Sequence, residues 1–285
     1  MTTKVRIVTD STADIPREVR ERLNIEMVPL QVLFGTESYL DSVTLQADEF
    51  YEKLEKFSGL PTTSQPSPSE FMAVYERILD ESPDAPIISI HLSSQFSGTF
   101  QSALLAQSLI EREADITAVD SKSASYGNGM LVVKAAEMAE AGASKEEILD
   151  EVYRMRKETG LYFLVDTLEY LQKGGRIGKA SAFFGSILNI KPILSIDDEG
   201  SITPVDKVRG TKKAVQRVVD LLKEQFGDDP VAVHFAWGYQ RGSALDLYEA
   251  INASFQIRHT TTTTLGPVIG AHVGPGTAAV FMQRA

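Results

Sequence analysis

The sequence contains no cysteine. A disulfide framework, a metal site built on thiolates and redox chemistry at sulfur are therefore excluded. Basic residues are also scarce relative to acidic ones: 28 Lys and Arg stand against 39 Asp and Glu, which gives a formal net charge of −11. Such a surface repels phosphate backbones and anionic lipid headgroups, so nucleic-acid binding and basic docking to a membrane are disfavoured unless a local basic patch overrides the overall sign.

Long apolar runs are missing as well. The stretch Thr260–Gln283 carries no Asp, Glu, Lys or Arg, but glycines and prolines interrupt it repeatedly, so it is not a membrane span. The first residues, Met1–Arg6, lead directly into a strand-like segment without the apolar core and cleavage site of a signal peptide. We therefore expect a soluble cytoplasmic protein with no stable membrane insertion.

What is present is the composition of a folded protein. Hydrophobic residues make up 43% of the chain and charged residues 24%, which excludes a disordered chain. A length of 285 residues corresponds to about two domains of roughly 150 residues each.

Strand-like and helical patterns alternate through the first half. Apolar runs such as Pro86–His91 and Ile116–Val119 are separated by amphipathic patterns such as Ser69–Glu81 and Lys145–Lys157. This alternation, with continuously apolar strands, predicts a parallel sheet covered by helices on both faces.

The pattern changes near residue 159. Beyond it, Ile193–Ile196 and Ile202–Val208 flank a turn cluster and predict an antiparallel hairpin, in which Pro204 indicates an edge strand or a bulge. We therefore expect an α/β protein of two domains. Residues 1–159 would form an N-terminal parallel sheet flanked by helices, and residues 160–285 a C-terminal mixed sheet with helices.

Two hydroxyl-rich segments are candidate binding sites. Pro61–Pro68 places four hydroxyls between prolines, and by itself it is typical of a turn that caps a helix. His91–Phe100 follows a buried strand and precedes a helix, at the sheet edge where ligands of open α/β folds bind. Its free N–H groups and serines favour an anion such as a carboxylate or phosphate, although Ser97 alone could be a cap.

Two glycine-rich segments are further candidates. Lys173–Lys179 does not fit a Walker phosphate loop, and it is either a solvated helix cap or, with Arg209, Lys212 and Lys213, a cationic patch for an anionic partner. Gly266–Gly276 allows a close backbone approach around His272, which can donate to an anion or remain neutral.

Catalytic patterns are missing from the sequence. There is no dinucleotide fingerprint, no Gly-x-Ser-x-Gly elbow and no histidine spacing typical of a metal site. His91, His234 and His259 lie in or beside predicted strands and are interpreted as structural. We expect no catalytic residues, no metal and no cofactor, and a hydrolase is disfavoured.

Taken in order along the whole chain, these segments resemble the DegV family of bacterial fatty-acid-binding proteins, the lipid-presenting subunits of fatty acid kinase. The segments that carry the resemblance are Val8–Asp14, Thr63–Ser67, Leu92–Ser94, Ser97–Thr99, Leu168–Gly178, Lys191–Leu194, Val208–Gly210 and His272–Gly276. The resemblance implies a protein that is not itself an enzyme. It would bury one long-chain fatty acid in an apolar tunnel between its domains and present the carboxylate to a separate ATP-dependent kinase subunit, which forms the acyl-phosphate.

The resemblance also implies roles for individual residues. The carboxylate would be held by Thr63, by Ser93 and Ser94, and by a network that includes His272. Arg176 and Arg209 would lie on the face that docks the kinase subunit. Neutral hydroxyls suit a presenting protein because a bidentate arginine would quench the carboxylate oxygen that attacks ATP.

Two other functions are kept open by the sequence. The anion-friendly loops are compatible with an enzyme acting on a small carboxylated or phosphorylated metabolite, and the basic patch with a pure interaction module. A long apolar tunnel favours the fatty-acid carrier, whereas a short polar pocket favours the enzyme. Candidate tunnel-wall residues near the basic loop, for which core packing is the favoured interpretation, are Ala180, Phe183, Phe184, Ile187 and Leu188.

Overall fold

A computed structural model describes residues 4–183 and 190–285. Within them the strands are β1 (Arg6–Asp10), β2 (Glu26–Val28), β3 (Gln31–Phe34), β4 (Glu37–Leu40), β5 (Thr62–Ser64), β6 (Ile87–His91), β7 (Ile116–Asp120), β8 (Gly160–Leu164), β9 (Ile190–Ile196), β10 (Ile202–Arg209), β11 (Val231–Trp237), β12 (Ile257–Thr264) and β13 (Ala278–Arg284). The α-helices are α1 (Arg17–Arg22), α2 (Ala47–Lys56), α3 (Pro68–Glu81), α4 (Thr99–Leu109), α5 (Tyr126–Glu140), α6 (Lys145–Glu158), α7 (Glu169–Lys173), α8 (Thr211–Phe226), α9 (Gly242–Ser254) and α10 (Pro267–Val273).

The first sheet is parallel, with the strand order β2–β1–β6–β7. Neighbouring side chains of a strand point to opposite faces, so Ile87 packs with α3 and α4 while Ile88 packs with α5 and α6. Every residue of β6 is buried, as expected of a strand covered on both faces. The predicted N-terminal parallel sheet with flanking helices is confirmed.

The second sheet is mixed and has the order β10–β9–β8–β13–β11–β12. Only β11 and β12 run parallel among its described pairs. Helices α8 and α9 cover the face that bears Val280, whereas the neighbouring Phe281 turns to the opposite face, towards the first sheet. The predicted mixed sheet is confirmed, and so is the hairpin of β9 and β10, whose register shifts between Pro204 and Asp206.

A third, antiparallel sheet of order β4–β3–β5 was not predicted from the sequence. Gly35, with a φ of +61°, forms the tight turn between β3 and β4. The apolar face of this sheet packs against α2 and against Val268 and Ala271 of α10. Residues from the two halves of the chain therefore share one core, although the second sheet begins at Gly160. The boundary at residue 159 stays a prediction.

The candidate tunnel wall is described only in part. Gly178–Phe183 forms a short 3₁₀ helix in which Ala180 is buried in the core around Phe163. The other candidate wall residues Phe184, Ile187 and Leu188 lie outside the described residues. None of the helices in the described part of the chain is long and apolar enough to cross a membrane.

Candidate functional site

A cavity of about 360 Å³ lies where the loops after β6 and β7 meet α10 and the inner face of the second sheet. This volume is in the range of about 300–1,000 Å³ that is typical of small-molecule sites. Most of its lining is apolar, from Leu30, Leu92, Phe96, Ala124, Leu161, Phe163, Leu171, Ile196, Ile202, Leu265, Val268, Ile269, Val273, Ala279 and Phe281. Such a lining suits a hydrocarbon chain.

A hydrogen bond between Thr63 and His272 forms the centre of the polar wall. Thr63 lies on β5 and His272 on α10, and their Oγ1 and Nε2 atoms are 2.8 Å apart. Both side chains line the cavity. The structure thus brings together two of the residues that the sequence singled out, although 209 positions separate them.

The imidazole of His272 is held in its neutral form. Burial, with a smaller contribution from the charge of Arg176, lowers the pKa of His272 to about 4. Its Nδ1 has no hydrogen-bond partner and faces Gly174, where a β-carbon would lie 2.4 Å away. A buried N–H without an acceptor is costly, so the proton belongs on Nε2, which donates to Thr63. The hydroxyl hydrogen of Thr63 is then free for a ligand.

Arg176 lines the cavity, and its expected role in docking the kinase subunit stays a prediction. Its Nε donates to the carbonyl of Phe96 at 2.9 Å, and its Nη1 donates to the carbonyl of Gly174 at 2.7 Å. These two bonds turn the side chain inward and leave it half-buried. The sequence indicated a solvated basic loop because nothing local reveals that the fold supplies two carbonyls to this guanidinium.

Gln65 and Ser97 are cavity residues that sequence reasoning did not select as ligands. The amide of Gln65 lies against Gly98, where a β-carbon would come within 2.3 Å of its Oε1, and its Nε2 donates to Ser102. Both residues lie within the hydroxyl-rich segments. The sequence therefore indicated the right segments, but it did not show which of their polar side chains face the cavity.

Ser93 and Ser94 are placed away from this group. Ser93 is fully buried, and its hydroxyl donates to the carbonyl of Gly200 at 2.8 Å. The backbone N–H of Ser94 contacts Asp120, and neither serine is among the residues that line the cavity. The hydroxyl of Ser93 instead ties the loop after β6 to the β9–β10 hairpin. The expected carboxylate contact for these serines thus finds no support in the geometry and stays a prediction.

Arg209 lies at the exposed end of the edge strand β10 and does not line the cavity. This position is compatible with contact to another protein. Its expected role in docking stays a prediction.

Two buried carboxylates anchor the first turn of α10. Asp14 accepts from the backbone N–H of Gly266 at 3.0 Å and from the hydroxyl of Ser125 at 2.5 Å. Asp41 accepts from the backbone of Val268, and burial raises its pKa to about 7. Because both carboxyl groups accept hydrogen bonds from backbone N–H groups at the start of α10, residues of the first half of the chain fix the helix that carries His272.

A Ser–His–Asp chain lies inside the first sheet. Ser89 Oγ is 2.6 Å from His91 Nε2, and His91 Nδ1 is 3.0 Å from Asp10 Oδ2. All three side chains are completely buried, Tyr75 donates to Ser89, and none of the three lines the cavity. The chain satisfies buried polar groups, in agreement with the structural role predicted for His91. Among the described residues, no group of His, Asp and Glu could hold a metal ion.

Comparisons with known proteins agree with this architecture. The sequence model of the DegV family, described as one of uncharacterised proteins, matches residues 4–285. Protein DegV of Bacillus subtilis is 41% identical over 278 residues, which cover 97% of this chain and 98% of that protein.

Two solved structures are similar over nearly the whole length. A fatty-acid-binding DegV family protein from Thermus thermophilus has a TM-score of 0.91 and 36% identity, with 99% of this chain and 100% of that one covered. A stearic-acid-binding protein from Eubacterium ventriosum has a TM-score of 0.89 and 27% identity, with 98% of each chain covered. Given these matches, the chain belongs to the DegV family.

Proposed function

We propose that this protein binds one long-chain fatty acid in the cavity and presents its carboxylate to a separate ATP-dependent fatty acid kinase subunit. The observation that carries the proposal is a mostly apolar cavity whose polar lining includes the hydrogen-bonded pair Thr63 and His272, together with Arg176. Relatives described as binding fatty acids support the choice of ligand.

The apolar wall supplies enough binding energy for a lipid. Burial of one CH₂ group contributes about 0.8 kcal/mol, so a chain of roughly 15 methylenes offers about 12 kcal/mol before losses. Immobilisation of the ligand offsets several kcal/mol of this gain. The carboxylate contacts therefore need only orient the headgroup.

The polar wall suits a carboxylate that must stay reactive. Thr63 donates its hydroxyl hydrogen to the carboxylate, and the neutral imidazole of His272 donates in turn to the hydroxyl oxygen of Thr63. Arg176 adds positive charge nearby, but its Nε and Nη1 already donate to backbone carbonyls. The side-on bidentate grip, which needs Nε, is therefore not available to the carboxylate, whose oxygen such a grip would make less nucleophilic.

The alternative of an enzyme for a small metabolite is less well supported. It called for a short polar pocket, whereas most side chains that line this cavity are apolar.

The decisive test is extraction of the protein purified from bacteria, followed by mass spectrometry of the lipid fraction. We expect a long-chain fatty acid at close to one equivalent per chain. Protein that is free of fatty acid and does not bind added palmitate or oleate would disprove the proposal.

The headgroup assignment is tested by Thr63→Val, which removes the hydroxyl at nearly constant volume. Loss of a hydrogen bond to a charged group costs about 1.5–3 kcal/mol, so the Kd for fatty acid should rise roughly ten- to hundredfold. Thr62→Val is the matched control, because Thr62 is the exposed neighbour on the same strand. Equal affinities of the two variants would remove Thr63 from the headgroup site.

A further inference from the structure

A second cavity, of about 460 Å³, lies on the other side of one wall of the first. It is bordered by charged side chains, including Lys122, Arg156, Lys157 and Asp198. Two apolar residues, Leu161 and Ile196, line both cavities. Both are only partly buried, as expected of side chains with space on two sides.

Leu161 and Ile196 belong to a row of apolar side chains across the second sheet. Leu161 of β8 pairs with Phe281 of β13, and Ile196 of β9 pairs with Ile202 of β10. The register of β8 and β9, in which Phe163 pairs with Leu194, continues to Leu161 opposite Ile196. All four members of the row line the first cavity.

The Phe281 end of this row lies away from the Thr63–His272 pair. Val273, which follows His272, accepts from Thr277 just before β13 begins, and the cavity continues along β13 through Ala279 to Phe281. Strands rise about 3.3 Å per residue, so Phe281 lies about 13 Å beyond Thr277. Phe281 closes the end by packing against Gly127 of the second cavity, where a β-carbon would lie 2.8 Å from its ring.

We propose that the row formed by Ile202, Ile196, Leu161 and Phe281 is the floor of the acyl-chain site and sets the longest fatty acid that fits. This inference rests on the proposed function. The methyl end of a bound chain stops at the floor because the space behind it is lined by charged groups that a hydrocarbon does not solvate. When a floor side chain is trimmed, the tail extends into the space that the removed carbon atoms occupied, while the rest of the floor still separates it from the charged groups of the second cavity.

The test uses Leu161→Ala and Ile196→Ala, each of which deletes carbon atoms from the floor. Leu171→Ala is the matched control, because Leu171 lines the first cavity but not the second. Delipidated protein is incubated with an equimolar mixture of saturated fatty acids of 14 to 22 carbons, and the retained lipids are measured by mass spectrometry. Ile196→Val, which removes a single methyl group, is used if an alanine variant does not fold.

We expect both floor variants to shift the retained lipids towards longer chains by about two carbons, whereas the control lowers total retention without a shift. Unchanged chain lengths in the floor variants, or an equal shift in Leu171→Ala, would overturn the floor assignment and leave the proposed function intact. A parent protein that retains no fatty acid would overturn both.

Discussion

At the scale of single residues, the site depends on a histidine kept neutral by burial. The resemblance to the DegV family pointed to Thr63 and His272, which lie in two segments that the sequence offered as candidate sites. It did not reveal their hydrogen bond, which depends on how β5 and α10 meet. Arg176 shows the opposite case: a basic loop indicated solvent exposure, but two carbonyls hold its side chain at the cavity wall.

The depressed pKa of His272 predicts a pH effect on stability. Because this pKa is about 4 in the folded protein and about 6.5 in an unfolded chain, the unfolded state binds more protons between these values. The contribution of His272 is therefore complete above pH 6.5 and is lost as the pH falls towards 4. Between pH 7 and pH 5, the free energy of unfolding of His272→Gln should therefore fall by about 1–2 kcal/mol less than that of the parent protein.

This difference is measured by urea unfolding of both proteins, free of ligand, at each pH. Other titrating groups, such as Asp14, Asp41 and His234, are present in both and largely cancel. Parallel losses in the two proteins would mean that His272 titrates normally.

At the scale of elements, the contact between α7 and α10 determines where the imidazole sits. Gly174 ends α7, and its missing side chain leaves room for His272 Nδ1. We predict that Gly174→Ala displaces the ring, breaks its bond to Thr63 and raises the Kd for fatty acid about tenfold.

The prediction for Gly174→Ala is checked by direct titration with a fluorescent fatty acid. Gly242→Ala is the control, because a β-carbon there meets no atom within 4 Å. If the two alanine variants bind equally, close packing at Gly174 does not position the site.

The long elements were predictable from the sequence, and the short ones were not. The continuously apolar run of β6 and the helical spacing of apolar residues in helices such as α6 are both visible in the local sequence. The three-residue strand β5 is defined by its partner β3, which lies about 30 positions earlier, and it carries little local signal. Glycine is a poor helix former, yet Pro267–Val273 forms α10, which packs against Phe50 and Tyr51 so closely that Gly270 has no room for a β-carbon. The close backbone approach expected of this segment is therefore found, and it occurs within a helix.

At the scale of the whole molecule, lipid binding and partner docking should be separable. Arg209 is exposed at one edge of the second sheet, whereas Arg176 lines the cavity. We predict that Arg209→Glu keeps its fatty acid but lowers the rate of acyl-phosphate formation at least tenfold with a fatty acid kinase catalytic subunit. Arg176→Glu should instead lose the lipid, because it puts a negative charge beside the carboxylate.

Retained lipid is measured by mass spectrometry and acyl-phosphate by hydroxylamine trapping. Arg258→Glu, an exposed arginine on β12 at the opposite edge of the sheet, is the control for a general charge effect. Normal turnover with Arg209→Glu would exclude that arginine from the docking surface.

The sealed arrangement of Ser89, His91 and Asp10 has a consequence for activity-based profiling. Their spacing is that of a serine hydrolase, so a search on interatomic distances alone would classify this protein among esterases and proteases. A fluorophosphonate warhead has to reach the serine oxygen to react, and here strands and helices enclose that atom on every side. We therefore expect such reagents to leave the folded protein unlabelled, because burial keeps them from reaching a serine whose neighbours have hydrolase-like spacing.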